Sequence, residues 1–268
     1  MTDQELADDV VITPGGVRHR SLMHAITVGT TLDGSGGRHR MLGPDGEELA
    51  DFGLIDACPP GPGLMPDGVV PPIAPDPTST LDSGWLAYTS WNRPDEAITS
   101  FSSTWTVPPS PATKNGQLIY LFSGLQNSTM IYQPVLQWGN NGVFGGNYWC
   151  LASWYAAGPG SAAFYSNPVP VNPGDELTGV ITLTEHSSTG FSYACEFTDV
   201  ANSGYAIANV PELWQAVQAL AAYHLTARSD LPHTDKAQIR AITLQAGTTM
   251  VPTAQPVRPL DYGHSPWQ

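Results

Sequence analysis

The sequence has few charged residues, and positive charge is especially scarce. Asp, Glu, Lys and Arg make up 13% of its 268 residues, and the only lysines are Lys114 and Lys236. The formal net charge is -14 at pH 7. A chain so poor in positive charge has little with which to attract phosphate groups. Nucleic acids and anionic membrane surfaces are therefore not expected as partners.

Cysteines and long apolar runs are also scarce. Cys58, Cys150 and Cys195 are widely separated, in a pattern that fits neither a zinc site nor a disulfide framework. No apolar run reaches the roughly 18 residues of a membrane-spanning helix, and the N-terminus lacks the basic and apolar segments of a secretory signal. We therefore expect a cytoplasmic protein as written, or a secreted one if a leader was removed, with no metal and no cofactor.

Glycine and proline, in contrast, are abundant, with 27 and 25 residues respectively. Such a composition is typical of a turn-rich, all-β protein. The segment from Cys58 to Thr80 holds eight prolines, which indicates an extended connector. The predicted division is a disordered tail (1–9), a small N-terminal β region (10–56), a Pro-rich linker (57–80) and a β-sandwich domain (81–268).

Short strand-like runs recur between residues 84 and 198 and are separated by turn residues, which predicts an antiparallel β-sandwich. One segment, Val210–Leu225, breaks this pattern. Leu213, Val217 and Leu220 fall at helical spacing, so one short helix is predicted near residues 210–225. In that helix Glu212, three residues after Asn209, is expected to act as a capping residue.

Two Arg-His-Arg triplets lie in the N-terminal β region, at residues 18–20 and 38–40. If both are strands, the two arginines of each triplet share one face, which makes a local basic patch. Two interpretations stay open. The arginines form solvated surface pairs, or they dock the N-terminal region on the acidic main domain as a prosegment or cap does.

The segment 132–139 is central to the predicted sandwich. Strict alternation places Tyr132, Leu136 and Trp138 on one face, which is typical of a core, and Gln133, Val135 and Gln137 on the other. Amides here occur together with many aromatic residues, a combination that suits a neutral polar ligand. The alternative is that Asn and Gly in this region only build turns.

Five short motifs follow one another in this part of the chain. They are FSSTWTVP (101–108), FSGL (122–125), VLQWG (135–139), SWY (153–155) and PGD (173–175). In this order they resemble the glutamic peptidases, or eqolisins. The resemblance implies a concanavalin-like β-sandwich whose cleft holds a catalytic Gln and Glu, and by position Gln137 matches that Gln.

The chain departs from this family at its carboxylates. The family's Trp and Asp fall on Phe122 and Gln126, and a family Glu falls on Ser153. The nearest match to the catalytic Glu is Glu212, one residue out of register, and such a slip turns a strand side chain to the opposite face. The resemblance therefore implies an oxyanion-stabilising amide without a general base in place.

The leading hypothesis is a groove-binding protein or a non-peptidase enzyme on this scaffold, which holds a neutral small molecule, a glycan or a peptide around Gln137. The first alternative is a glutamic-type acid endopeptidase that uses Gln137 and Glu212 as catalytic residues. The second is a cyclase or isomerase of small molecules in the same cleft. Whether the protein is an enzyme stays open. The predicted ligand-binding residues are Phe122, Gln126, Gln133, Gln137, Trp138, Trp149, Ser153 and Trp154.

Overall fold

The computed structural model describes residues 9–55, 84–92, 96–158, 161–234, 238–247 and 249–251. Within these ranges the chain forms nineteen strands and three single-turn 3-10 helices, so the predicted all-β class is confirmed. No helix among the described residues is long and apolar enough to cross a membrane. The predicted linker (57–80), Cys58 and residues 1–8 of the predicted tail lie outside the described residues.

The strands form a hairpin and two large sheets. The hairpin consists of β1 (Val10–Thr13) and β2 (Gly16–His19). Sheet I has eight strands: β3 (Met23–Ala25), β7 (Gly84–Asn92), β9 (Leu118–Gln126), β10 (Met130–Asn140), β11 (Gly145–Ala157), β12 (Ala163–Tyr165), β13 (Val169–Val171) and β17 (Gln215–Tyr223). Sheet II has nine: β4 (Thr31–Asp33), β5 (Arg38–Leu42), β6 (Glu48–Leu54), β8 (Ile98–Thr106), β14 (Glu176–Ser187), β15 (Gly190–Phe197), β16 (Tyr205–Val210), β18 (Ile239–Ala246) and β19 (Thr249–Val251).

The two sheets pack face to face and enclose the main core. On β10, Tyr132, Leu136 and Trp138 point toward sheet II, as the alternation predicts, and are at most 1% exposed. Leu136 and Trp138 pack in one cluster with Trp105 of β8 and Leu177 of β14. A further apolar cluster lies on the opposite, outer face of sheet I. The central strands of sheet I, β9, β10 and β17, are therefore buried on both sides.

The helix predicted near residues 210–225 is wrong. The segment forms β17, which pairs with β9 on one side and β7 on the other, and all nine of its residues are buried. Alanine, leucine and glutamine favour helices in isolation, but two sheet partners and burial of both faces override that weak propensity. The predicted capping role of Glu212 is also wrong, because there is no helix for it to cap. Asn209 belongs to β16, and Glu212 lies in the connection to β17.

The described part of the N-terminal β region is built into both large sheets. Strand β3 pairs in parallel with β12 of sheet I, and β4 pairs in parallel with β16 of sheet II. The arginines of the second triplet have carboxylate partners, because Arg38 donates to Asp51 and Arg40 donates to Asp33. The division of the chain into domains stays a prediction.

Candidate functional site

The outer face of sheet I, which points away from sheet II, carries a row of amides at its centre. Along β10 this face holds Ile131, Gln133, Val135 and Gln137, because alternate residues share a face. The neighbouring strands add mostly aromatic and small residues. These are Gln126, Gly124, Phe122 and Tyr120 on β9, Gln215, Val217, Ala219 and Ala221 on β17, and Trp154 and Ala152 on β11.

The β1–β2 hairpin covers this face. The Tyr120 hydroxyl donates to the backbone oxygen of Ile12 over 2.7 Å, and the Trp85 Nε1–H donates to that of Pro14 over 3.2 Å. At the turn, a Cβ on Gly15 would lie 3.0 Å from the Cβ of Ala156. Only a glycine allows the turn to approach the sheet so closely without a shift of the backbone. The hairpin therefore spans sheet I from β11 to β7.

Gln133 lies between these points of contact, and among the residues that the structure describes it has no hydrogen-bond partner. Its side chain is 0% exposed, and neither Nε2 nor Oε1 is within hydrogen-bond geometry of another group. Its cross-strand neighbour Trp154 is also fully buried, with an unpartnered Nε1–H. On the other side stands Gly124, where a Cβ would come within 3.1 Å of the Gln133 Cβ.

Gln126 extends this polar group by one step along the sheet. Its Nε2 donates to Oε1 of Gln215 over 2.5 Å, while its own Oε1 is buried without a partner. Gln126 stands opposite Ile131, two residues along β10 from Gln133. The face thus presents two unpartnered donors and two unpartnered acceptors within a few residues of each other.

The strands that form the floor of the site are polar without being ionic. None of the eight described strands of sheet I contains Asp, Glu, Lys or Arg. Burial raises the pKa of Tyr120 well above its usual value and that of Cys150 to about 12, so both stay protonated at ordinary pH. Among the described residues no group of three or more His, Cys, Asp or Glu is placed to hold a metal ion.

Gln137, the predicted catalytic amide, is engaged in local structure. Its Nε2 donates to the backbone oxygens of Gly139 over 2.9 Å and Phe144 over 3.2 Å, and its Oε1 accepts from Nδ2 of Asn141. Gly145 is needed here, since a Cβ at this position would lie 2.5 Å from Nε2 of Gln137. The amide therefore closes the connection between β10 and β11 and is not directed at a ligand.

Glu212, the predicted second catalytic residue, lies far from Gln137. Gln137 stands opposite Tyr120, which stands opposite Ala221 near the end of β17. The start of β17 at Gln215 is six residues away, or roughly 20 Å along an extended strand, and Glu212 comes before it. Burial raises the pKa of Glu212, and nearby His186, at the end of β14 in sheet II, opposes that shift. The structure does not bring the two residues together.

The remaining predicted ligand residues divide between the two faces of sheet I. Phe122 and Trp154 lie on the outer face with the amides. Trp138 and Trp149 pack between the sheets, with ring centroids 5.5 Å apart. Ser153 also points inward and donates to the backbone oxygen of Ser203 over 2.8 Å. These three inward residues have no access to the amide row.

Three components of the site, the hairpin, Gln215 and Gly124, are difficult to recognise from the sequence alone. The Arg-His-Arg triplets are compatible with docking of the N-terminal region on the main domain, but the position of the hairpin on the outer face of sheet I depends on tertiary packing. Gln215 was missed because its segment was assigned to a helix. Gly124 stands inside a strand, where an isolated glycine is a recognised sign of close approach by another group. That sign could have marked the position next to Gln133.

Comparison with solved structures returns the family that the motifs resemble, as a distant similarity. The chain is similar to a scytalido-glutamic peptidase solved with a transition-state analogue inhibitor, at 12% identity and a TM-score of 0.39, over 65% of this chain and 84% of that one. It is also similar to an eqolisin solved with the tripeptide Ala-Ile-His, at 12% identity and a TM-score of 0.36, with the same coverage.

A CBM2 module from a Lactobacillus casei phage J-1 protein matches less well, at 10% identity and a TM-score of 0.32, over 51% of this chain and 60% of that one. No family model matches the sequence, and a search of curated proteins gives no match. At such low identity these similarities concern the fold alone. No activity and no site residue is transferred from them.

Proposed function

We propose that the protein binds a small neutral polar molecule on the outer face of sheet I, at Gln133. The observation that carries this proposal is the Gln133 side chain, which is wholly buried while both of its amide atoms lack a partner in the described part of the chain. A buried polar group without a partner costs about 1–3 kcal/mol, and most buried polar groups in folded proteins avoid this cost. A bound ligand that donates to and accepts from this amide would remove it.

The available atoms define the chemistry of the ligand. Gln133 offers one donor group and one acceptor, Trp154 adds a donor, and Gln126 adds an acceptor. Carboxamides, and sugars with neighbouring hydroxyl groups, present complementary pairs of donors and acceptors. A charged ligand would lose its hydration and find no opposite charge on the strands of sheet I, so the proposed ligand is neutral.

Aromatic rings would form the apolar wall of this site. Phe144 packs on Trp154 and Tyr165, with ring centroids 5.6 and 5.2 Å away. Flat apolar surfaces beside a few fixed polar groups are typical of sites for small molecules, because the rings supply contact area and the amides supply orientation.

The test replaces the amide by an apolar group of similar size. In the Gln133→Met variant we expect the free energy of unfolding in urea to rise by about 1–2 kcal/mol, because a buried group without partners is removed. The same variant should lose binding of neutral probes, measured by calorimetry with N-acetylglucosamine and with an acetyl- and methylamide-blocked glycine.

Gln137→Met is the matched control, since it makes the same change four residues along the same strand. There the amide has partners, so the control should lose stability and keep binding if its fold is intact. If Gln133→Met were destabilised as strongly as Gln137→Met, the Gln133 amide would have partners in solution and the proposal would fail.

The peptidase alternative makes a different prediction. Activation of water needs a carboxylate near the amide, and the described strands of sheet I supply none. We therefore expect no digestion of casein at acid pH. Digestion that is lost in both Gln137→Ala and Glu212→Ala would instead establish the glutamic-type peptidase. The cyclase or isomerase alternative uses the same cleft and stays a hypothesis.

A further inference from the structure

We propose that the β1–β2 hairpin is a lid that opens to admit ligand to Gln133, and that Arg18 is the latch that holds it shut. The purpose of the lid rests on the proposed function. The opening itself rests on contacts of the hairpin and is tested without any ligand.

The hairpin is held by docking and not by membership in a sheet. Among the described strands, β1 and β2 pair only with each other, over four residue pairs, and form a separate two-stranded sheet. A two-stranded hairpin by itself is at best marginally stable in water. Its ordered position therefore depends on the contacts that it makes with sheet I and the adjacent loops.

Arg18 supplies the most concentrated of these contacts. Its side chain is buried, and its guanidinium donates to three backbone oxygens at the end of β11 and in the following loop. The distances are 2.7 Å to Gly158 and 3.2 Å to Ser161, and the third acceptor is Ala157. Hydrogen bonds from a charged donor are about twice as strong as neutral ones, so three from a single side chain fasten this edge of the hairpin.

The other fastenings also lie around the amide row and not on it. Ile12 donates its N–H to the backbone oxygen of Asn141 over 3.3 Å and accepts from Tyr120, while Pro14 accepts from Trp85. Gln133 lies between Tyr120, which contacts Ile12, and Ile131, which lies against Gly15, and the hairpin forms no hydrogen bond to it. The hairpin thus shields that amide from water and leaves its donor and acceptor available for a ligand.

The lid model predicts that Gln133 becomes accessible without unfolding of the sandwich. In the full-length Gln133→Cys variant, the rate at which iodoacetamide modifies the introduced thiol reports opening of the hairpin. Cys195 is 1% exposed between the two sheets, so its modification reports global unfolding in the same molecule. Peptide mass spectrometry separates the two sites. We expect the introduced thiol to react faster than Cys195.

Removal of the latch sharpens the test. Addition of Arg18→Ala should raise the rate at the introduced thiol by roughly tenfold to a hundredfold and leave the rate at Cys195 within about twofold, because the three hydrogen bonds lost join the hairpin to the end of β11 and the loop after it. Arg38→Ala is the control, since Arg38 pairs with Asp51 in sheet II, away from the hairpin. It should change neither rate.

Equal rates at the introduced thiol and at Cys195, or an equal increase at both in Arg18→Ala, would overturn the lid. If a variant fails to fold, hydrogen exchange of the unmodified protein decides. Amides of residues 10–19 should then exchange faster than those of β10, and equal exchange would reject the proposal. These outcomes are independent of the Gln133→Met experiment, so failure of the lid and failure of the ligand site are distinguishable.

Discussion

The two sheets of the sandwich differ sharply in where they hold charge. The strands of sheet I, as the structure describes them, carry no Asp, Glu, Lys or Arg. The strands of sheet II carry all the charges that the described strands of either large sheet possess. These are Asp33, Arg38, Arg40, Glu48, Asp51, Glu176, Glu185, Glu196 and Arg240.

This difference follows from what covers each sheet. Sheet II packs on one side and is exposed on the other, and its side chains alternate accordingly, with Ile181 buried and Thr182 exposed. The centre of sheet I is covered by sheet II on one side and by the hairpin on the other, where an ionised side chain on a strand would lose its hydration. Polar chemistry on sheet I is therefore restricted to neutral amides, hydroxyls and ring N–H groups, which is why we propose a neutral ligand.

The largest expected effect comes from a charge placed on sheet I. Val217 lies on the outer face and is 1% exposed, so Val217→Asp should lower the free energy of unfolding by about 4 kcal/mol or more. Thr182→Asp puts the same group on the exposed face of sheet II and should cost about 1 kcal/mol or less. Urea denaturation measures both. Similar values would mean that the outer face of sheet I is open to water.

A smaller effect concerns the contact between the sheets at low pH. His39 of β5 is fully buried against Tyr155 and Phe164 of sheet I. Burial, followed by the positive charges of His24 and Arg18, lowers its pKa to about 4. The unfolded chain binds a proton near pH 6.5 and the folded one does not, so stability is complete above that pH and declines as the pH falls toward 4.

The expected loss from His39 is about 3 kcal/mol across this window, since one pKa unit corresponds to about 1.4 kcal/mol. Urea denaturation at several pH values measures it. His39→Gln should be less stable at neutral pH but should show a flatter dependence between pH 4 and 6.5. An unchanged slope in that variant would assign the acid sensitivity to other groups.

The smallest effect separates two amides on the same strand of sheet I. Gln137→Met leaves the oxygens of Gly139 and Phe144 without their donor, so it should cost about 2 kcal/mol. Gln133→Met should raise the free energy of unfolding, because it removes a buried amide without partners among the described residues. Denaturation of the two variants side by side gives the difference. If both variants lost stability, the Gln133 amide would be hydrogen-bonded in solution in the same way as the Gln137 amide.

Much of the fold was accessible to sequence reasoning. Alternating polar and apolar residues with regular turns predicted the strands from 84 to 198 and the inward face of β10. The helical prediction for 210–225 failed because Leu213, Val217 and Leu220 fall at helical spacing and four of the nine residues of β17 are alanine. Small residues are favourable in helices, yet here they occupy a central strand buried on both faces. The spacing of apolar residues along one segment does not show whether a strand will be buried on both of its faces.

The candidate site was only partly accessible. Gln126, Gln133 and Trp154 were proposed as ligand residues, and the structure places all three on the outer face of sheet I. The emphasis on Gln137 came from a motif resemblance, which does not show whether an amide is engaged by its own turn. The separation of Gln137 from Glu212 depends on strand order, since β9 lies between β10 and β17. Strand order is a property of the whole fold and not of a short segment.

The parallel pairing of β3 with β12 and of β4 with β16 has a consequence for biosynthesis. These two strands emerge from the ribosome early, but the residues that they pair with extend to Ala208. At ordinary translation rates they wait roughly 10–40 s for those partners. The N-terminal strands therefore cannot complete their pairing with the two large sheets until residues up to Ala208 have been made, and their unpaired edges are exposed to aggregation until then.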